Sequence, residues 1–181
     1  MLDGNVILKN PFHQLVKEMA SRGRPRRDPK FPAHTRLLKD FEDLDEICQT
    51  GDLELTFPQE GNLRHFNMRI TMRTGIYQNY KFDFDVSIPD DWPTERPNIT
   101  LLTRTWHPNL TEDGKICLNI LRKNYAPTIT LASLVPSLQY LFASPNPSDP
   151  LNKDAAQQFQ QNYNGFKVKA EEYCQKYCPK S

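Results

Sequence analysis

Three stretches of the chain alternate apolar and polar residues with a period of two, which restricts the fold more than any other feature of the sequence. Their apolar members are Leu53, Leu55 and Phe57, then Phe66, Met68, Ile70 and Met72, then Phe82, Phe84, Val86 and Ile88. Because successive side chains of a strand point to opposite faces, each stretch predicts a strand with one buried and one wet face. A weaker fourth strand is predicted at 98–102, and the short connections favour an antiparallel meander.

Helical periodicity flanks the predicted strands on both sides. Before them, a helix that begins near Ala33 and ends before Gly51 is predicted from Leu37, Leu38, Phe41, Leu44 and Ile47. After them, Thr130 and Asn152 are expected to cap two helices. A final helix is predicted from Phe166, Ala170, Tyr173 and Tyr177. One helix, four strands and several C-terminal helices define an α+β fold with the helices segregated from the exposed sheet face.

Pro136 lies inside the helix predicted after Thr130, whose apolar members are Leu131, Leu134, Leu138, Leu141 and Phe142. A proline removes an internal hydrogen bond of a helix. The sequence therefore leaves the start or the straightness of this helix open.

The chain is predicted to comprise a basic arm, residues 1–32, and a folded domain, residues 33–181. The arm carries seven basic and three acidic residues, a net charge of +4. Because the whole chain has a net charge of +1, the remainder is net acidic. Apolar residues at helical spacing follow Asn10-Pro11 and predict either a docking helix or an inert tail: Phe12, Leu15, Val16 and Met19. The Arg-rich stretch after them is either a nuclear-import signal or a solvated linker.

Composition excludes several classes of function. The 181 residues, 38% of them hydrophobic, suffice for one domain with a sizeable core. A net acidic domain is unsuited to binding nucleic acid, and the early apolar run Val6-Ile7-Leu8 is too short for a signal peptide or a membrane span. We therefore expect a soluble intracellular protein.

The chain has four cysteines, and no two of them have CxxC spacing: Cys48, Cys117, Cys174 and Cys178. This spacing disfavours a metal site and a disulfide framework.

The long irregular stretch from Thr103 to Pro127 includes the segment WHPNLTEDGKICLNIL, residues 106–121. Cys117 lies eight positions after Asn109, between two aliphatic residues, and no second histidine is near. A cysteine in such surroundings is usually a small core residue. Long irregular segments inside compact domains are usually functional, however, so the residues themselves leave packing and chemistry both open.

The joint pattern of HPN, Cys117, Tyr125-Ala126-Pro127 and PNPSDPLN, residues 145–152, resembles the core of the ubiquitin-conjugating enzymes over about residues 33–178. The resemblance implies that Cys117 receives the C-terminus of a ubiquitin-like protein as a thioester and passes it to a lysine. Since a thiolate is a good leaving group, no separate base is needed to strengthen the nucleophile. LNILR, residues 118–122, and the segment 139–156 are similar to the branch that conjugates the Nedd/Rub modifier to cullins. A ubiquitin carrier and an inactive scaffold are the alternatives.

The resemblance also implies roles for three residues around Cys117. Asn109 either stabilises the oxyanion of the tetrahedral intermediate or orders the loop that does so. His107, counted with the candidate catalytic residues, is expected to hold the loop by hydrogen bonds rather than to act as a base. Asp149 corresponds to a gate for the incoming lysine, and its alternative is simple turn chemistry before a proline.

The family further implies a set of partners. They are the modifier, its activating enzyme, a RING-type ligase and a cullin substrate. The ligase would face Tyr125, Pro127 and Thr94, although Thr94 replaces an aromatic residue that many ligase-binding relatives carry. The activating enzyme would bind the arm. No cofactor is expected, because ATP is used by the activating enzyme, and we expect a monomer in the cytoplasm and also in the nucleus.

Overall fold

Four strands form one antiparallel sheet in the part of the chain that the structure, a computed structural model, describes, residues 32–59 and 62–179. They are β1 (Leu53–Thr56), β2 (His65–Thr71), β3 (Lys81–Ser87) and β4 (Asn98–Leu101). Their order in the sheet is β1-β2-β3-β4, and every neighbouring pair is antiparallel. The predicted meander is therefore confirmed.

The alternation in sequence corresponds to an alternation in burial. In β2 and β3 every second residue is fully buried, namely Phe66, Met68 and Ile70, then Phe82, Phe84 and Val86. The opposite face is polar, and Arg69 Nε there donates to Asp83 Oδ1 across the two strands at 2.7 Å. Each strand ends one residue before the predicted limit, and Leu102 is 53% exposed because it lies past the end of β4.

The helices are α1 (Pro32–Gln49), α2 (Leu131–Ala143), α3 (Lys153–Gln161) and α4 (Tyr163–Tyr177). Both predicted caps are confirmed, since the side chain of Thr130 accepts from the backbone N–H of Ser133 and that of Asn152 from Ala155. Helix α2 begins at Leu131 and runs through Pro136 to its last residue. None of the helices within the described residues is long and apolar enough to cross a membrane.

The buried face of α4 differs from the predicted one. Phe166, Ala170 and Cys174 are its buried residues, and Cys178, directly after the helix, continues the same face at intervals of four. Tyr173 and Tyr177 are only half-buried, because they lie beside this face and stack at its edge, Tyr173 against Trp106 at a centroid distance of 5.9 Å.

The arm lies outside the described residues except for Pro32, where α1 begins. Its docking candidates Phe12, Leu15, Val16 and Met19 therefore stay predictions, as does the boundary between arm and domain.

A buried carboxylate joins α1 to the start of α2. Asp40 is 1% exposed, and its Oδ2 accepts from Trp92 Nε1 at 2.9 Å and from Arg36 Nε at 3.1 Å. Its Oδ1 faces the backbone N–H of Leu131 at 3.3 Å. Burial raises the pKa of Asp40 although these donors act in the opposite direction. Both oxygens act only as acceptors, so an amide of the same shape cannot replace the carboxylate without facing a donor.

We expect Asp40→Asn to lower the free energy of unfolding by about 1–3 kcal/mol, because one amide N–H would point at a buried donor. The measurement is urea unfolding of both proteins. Glu46→Gln is the matched control, since Glu46 is exposed on the same helix, and it should change stability by less than about 0.5 kcal/mol. Equal stability of Asp40→Asn and the parent protein would contradict the role assigned to this carboxylate.

Candidate active site

The segment between β4 and α2 is irregular but tightly bonded. The backbone N–H of Cys117 donates to the carbonyl of Asn109 at 3.0 Å, so the HPN turn and the cysteine are direct neighbours. A bridge between Leu110 and Ile116 closes the loop, and Gly114 has a φ of +83° at its tip. A Cβ at Gly114 would lie 2.3 Å from the carbonyl oxygen of Leu101, so the close approach to β4 requires glycine.

His107 is completely buried beneath this loop. Its Nδ1 accepts from the backbone N–H of Asn109 at 3.0 Å, and its Nε2 donates to the carbonyl of Leu141 at 3.2 Å. These two partners determine the tautomer. Burial lowers the pKa of His107 from its ordinary 6.5 to about 3, so the ring is neutral at physiological pH. Its contacts are those of a residue that holds the loop against α2.

The side chain of Asn109 is also buried, and its hydrogen bonds within the described residues are all to one other loop. Its Oδ1 accepts from the backbone N–H of Asn146 at 2.8 Å, and its Nδ2 donates to the carbonyls of Asn146 at 2.8 Å and Asp149 at 3.3 Å. Of the two roles that the resemblance implies, this conformation corresponds to ordering the loop. Pro108 adds to the junction, because its carbonyl accepts from the backbone N–H groups of Leu151 and Asn152.

Cys117 lies between two clefts. The first, of about 650 Å³, is lined by residues of the HPN loop, α2 and the 146–149 loop, including Asn109, Leu118, Tyr140 and Asp149. The second, of about 530 Å³, extends toward β4. The thiol is half-buried, so an extended chain in either cleft could reach it.

The other three cysteines have a different environment. Cys174 and Cys178 belong to the hydrophobic core and Cys48 packs against it, whereas Cys117 does not. All four are free thiols. In the part of the chain that the structure describes, no group of three His, Cys, Asp or Glu residues could hold a metal ion.

Asp149 and Arg122 stand at the mouth of the site. The Asp149 side chain is 80% exposed, and its Oδ2 lies 4.0 Å from Arg122 Nη1. The same nitrogen donates to Cys117 Sγ at 2.8 Å. Sequence reasoning missed Arg122, although its position five residues after Cys117 in the stretch LNILR was a usable signal. The single 3₁₀ turn at Asn119–Leu121 returns the chain toward the thiol.

Of the predicted ligase-facing residues, Tyr125 reaches the segment that contains Thr94. The Tyr125 hydroxyl donates to the carbonyls of Pro93 and Glu95, the residues on either side of exposed Thr94. The carbonyl of Pro127 accepts from Arg36 Nη1 at 3.3 Å. Tyr125 therefore joins the two loops, and its hydroxyl is hydrogen-bonded within the protein.

Comparison with known proteins agrees with this geometry. Residues 36–174 match the ubiquitin-conjugating enzyme family. Several relatives described as NEDD8-conjugating enzymes are 33–38% identical to this chain. UBC12 of Yarrowia lipolytica is 37% identical over 130 residues, 72% of this chain and 73% of its own. The ubiquitin-conjugating enzyme E2 13 of Saccharomyces cerevisiae is 38% identical over 124 residues, 68% of this chain and 81% of its own.

A solved structure also matches the fold. The E2 domain of a Toxoplasma gondii ubiquitin conjugating enzyme superposes with a TM-score of 0.71 at 28% identity, covering 81% of this chain and 99% of that one. The α+β fold and its loop-borne cysteine define a transferase of the class that conjugates small protein modifiers. This chain belongs to the ubiquitin-conjugating enzyme family.

The buried neutral His107 generates a pH prediction. Below pH 6.5 the unfolded chain takes up a proton on this ring, whereas the folded protein does so only near pH 3. The contribution of His107 to the free energy of unfolding is therefore fully present above pH 6.5 and is lost as the pH falls toward 3. Between pH 7 and pH 5.5 this residue alone should lower the free energy of unfolding by about 1 kcal/mol.

Urea unfolding at the two pH values measures this change. His107→Gln keeps a donor and an acceptor but cannot titrate, so its stability should depend less on pH by that amount, even if it is less stable at pH 7. The same pH dependence in both proteins would show that the His107 ring takes up its proton as readily in the folded protein as in the unfolded chain.

Proposed function

We propose that this enzyme carries a ubiquitin-like modifier of the NEDD8 type as a thioester on Cys117 and transfers it to a lysine of a cullin. The observation that carries the proposal is the environment of Cys117, the one cysteine of the four that borders two clefts instead of packing in or against the core. The identity shared with several NEDD8-conjugating enzymes supports the choice of modifier.

Two acyl transfers make up the proposed reaction. In charging, the Cys117 thiolate attacks the carbonyl carbon of the modifier bound to the activating enzyme, and the C–S bond to that enzyme breaks. In discharge, a lysine amine attacks the same carbon, a C–N bond forms, the amine loses a proton and Cys117 leaves as a thiolate. The thioester is already activated, so a base beside Cys117 is unnecessary, which agrees with a buried and neutral His107.

Asp149 is the candidate group for the incoming lysine. An unperturbed lysine has a pKa of about 10.4 and is almost wholly protonated at neutral pH. An exposed carboxylate at the edge of the first cleft can orient the amine and accept its proton as the C–N bond forms. Asn109 holds the backbone of this residue, so we assign Asn109 to positioning the gate.

The remaining assignments concern partners. The arm would bind the activating enzyme, and the exposed residues Thr94 and Pro127 beside Tyr125 would face a RING-type ligase. The enzyme itself needs no cofactor, because the activating enzyme consumes the ATP. We propose that it acts as a monomer in the cytoplasm and nucleus.

A ubiquitin carrier is the second candidate, favoured by the 38% identity to the yeast ubiquitin-conjugating enzyme E2 13. Mixing the protein with ATP and each purified pair of activating enzyme and modifier distinguishes the two. A NEDD8-type pair should give an adduct that thiol reductant removes, and a ubiquitin pair should give none over the same time. The reverse result would replace the proposed modifier with ubiquitin.

The same assay tests the nucleophile. We expect Cys117→Ala to form no adduct, and Cys117→Ser to form an oxyester that survives reductant because an alkoxide is a poorer leaving group than a thiolate. Cys48→Ser is the control, since Cys48 packs against the core, and it should charge normally. A reducible adduct on Cys117→Ala would eliminate this assignment.

Asp149→Ala should affect only the second half-reaction. We expect near-normal charging but discharge to free lysine slowed by about tenfold or more at pH 7, with part of the loss recovered at higher pH. Single-turnover discharge across pH measures this, with Glu112→Gln as a control that removes an exposed carboxylate from the HPN loop. An equal loss in charging, or equal discharge at every pH, would leave Asp149 as a turn residue.

A further inference from the structure

Arg122 contacts the reacting sulfur more closely than it contacts any carboxylate among the described residues. Its Nη1 lies 2.8 Å from Cys117 Sγ and 4.0 Å from Asp149 Oδ2. A solvent-exposed arginine that merely paired with Asp149 would contribute little to stability. The shorter contact is to the atom that gains and loses negative charge during acyl transfer.

The backbone beneath this guanidinium is well anchored. The backbone N–H of Arg122 donates to the carbonyl of Asn119 at 3.1 Å, and its carbonyl accepts from Tyr125 at 3.3 Å. The preceding carbonyl, of buried Leu121, accepts from Arg96 Nη1 at 2.5 Å. The Arg122 side chain is 47% exposed, so it can exchange partners at little cost.

We propose that Arg122 is a further catalytic residue, whose guanidinium donates a hydrogen bond to the Cys117 thiolate in both half-reactions. In charging it holds the thiolate that attacks the incoming carbonyl carbon. In discharge the C–S electron pair goes to the sulfur, Cys117 leaves as a thiolate, and the guanidinium stabilises the negative charge that develops there. Both roles rest on the proposed function.

The residue type suits this task. Arginine is always protonated in proteins and has donors but no acceptor, so it cannot take the thiol proton and can only stabilise negative charge. A thioester sulfur carries no formal charge, whereas the sulfur in the breaking bond does. The hydrogen bond is therefore stronger in the transition state than in the charged enzyme, which is the condition for accelerating discharge.

Asp149 offers the guanidinium an alternative partner when the sulfur is acylated. The carboxylate lies on the same side, 4.0 Å from the same nitrogen. Arg122 can pair with Asp149 in the charged enzyme and return to the sulfur as the C–S bond breaks. The two exposed charges at the site would thus act in sequence, Asp149 on the amine and Arg122 on the leaving sulfur.

The first test uses the uncharged enzyme and needs no partner. Iodoacetamide alkylates a thiolate by forming a C–S bond and releasing iodide, so its rate reports on the Cys117 thiolate directly. At pH 7 we expect Arg122→Gln to slow alkylation of Cys117 by about threefold to tenfold, because the contact to the sulfur is lost. Arg122→Lys should retain part of the parent rate. Lys123→Gln removes the same charge from an exposed neighbouring residue and should have no effect.

The second test is discharge of the preformed thioester to free lysine. Arg122→Gln should slow it by about threefold to tenfold at pH 7, and Lys123→Gln should not. Unchanged alkylation in Arg122→Gln would overturn the proposal, even if charging were slower, because Arg122 would then serve only to bind a partner. Equal slowing by Lys123→Gln would also overturn the proposal. The effect would then come from the local positive charge in general and not from a direct contact with the sulfur.

Failure of the proposed function gives a different result. If alkylation slows as expected but neither modifier forms an adduct, the contact between Arg122 and the thiolate stands and the conjugation chemistry does not. Thermal unfolding of each variant verifies the fold, and we expect little change because the Arg122 side chain is exposed.

Discussion

The junction between the HPN turn and the loop after α2 supports the whole site. Five hydrogen bonds from Pro108 and Asn109 to residues 146–152 join segments that are 37 or more residues apart in sequence. They bring Asp149 to the cleft that contains Cys117. Because the Asn109 side chain is buried, losing its amide would leave the donors and acceptors of the second loop unpaired, which is costly. The relative positions of nucleophile and gate therefore depend on this junction.

The site separates its polar groups by burial. His107 and Asn109 are buried and fully engaged, and their contribution is geometric. Asp149 and Arg122 are exposed, and among the described residues their side chains make one or two polar contacts each, so they can contact an incoming lysine or the reacting sulfur. A buried histidine that is neutral at physiological pH suits a reaction in which the acyl group arrives already activated. A catalytic triad would require the opposite arrangement, with the histidine within reach of the nucleophile.

A second buried network supports the face that we assign to the ligase. Asp40 joins α1 to Trp92 and to the start of α2, and Arg36 beside it donates to the carbonyls of Pro127 and Ile129. The helix that follows the arm is thus bonded to the loops around Thr94 and Tyr125. These loops have little regular structure. Side chains instead donate hydrogen bonds to their backbone carbonyls.

The sequence by itself determined the elements of this protein, because period-two alternation and N-cap residues are local signals that need no partner. It predicted the four strands, their meander and the caps at Thr130 and Asn152, and the family resemblance pointed to Cys117 and its neighbours. Tertiary structure decided what depends on contacts between distant segments. These are the choice of Cys174 over Tyr173 for the buried face of α4, the clamp at Asp40, and the junction that Asn109 makes. Arg122 shows the difference most clearly: its place in the sequence was visible, but its distance to the sulfur exists only because one short turn folds the chain back on itself.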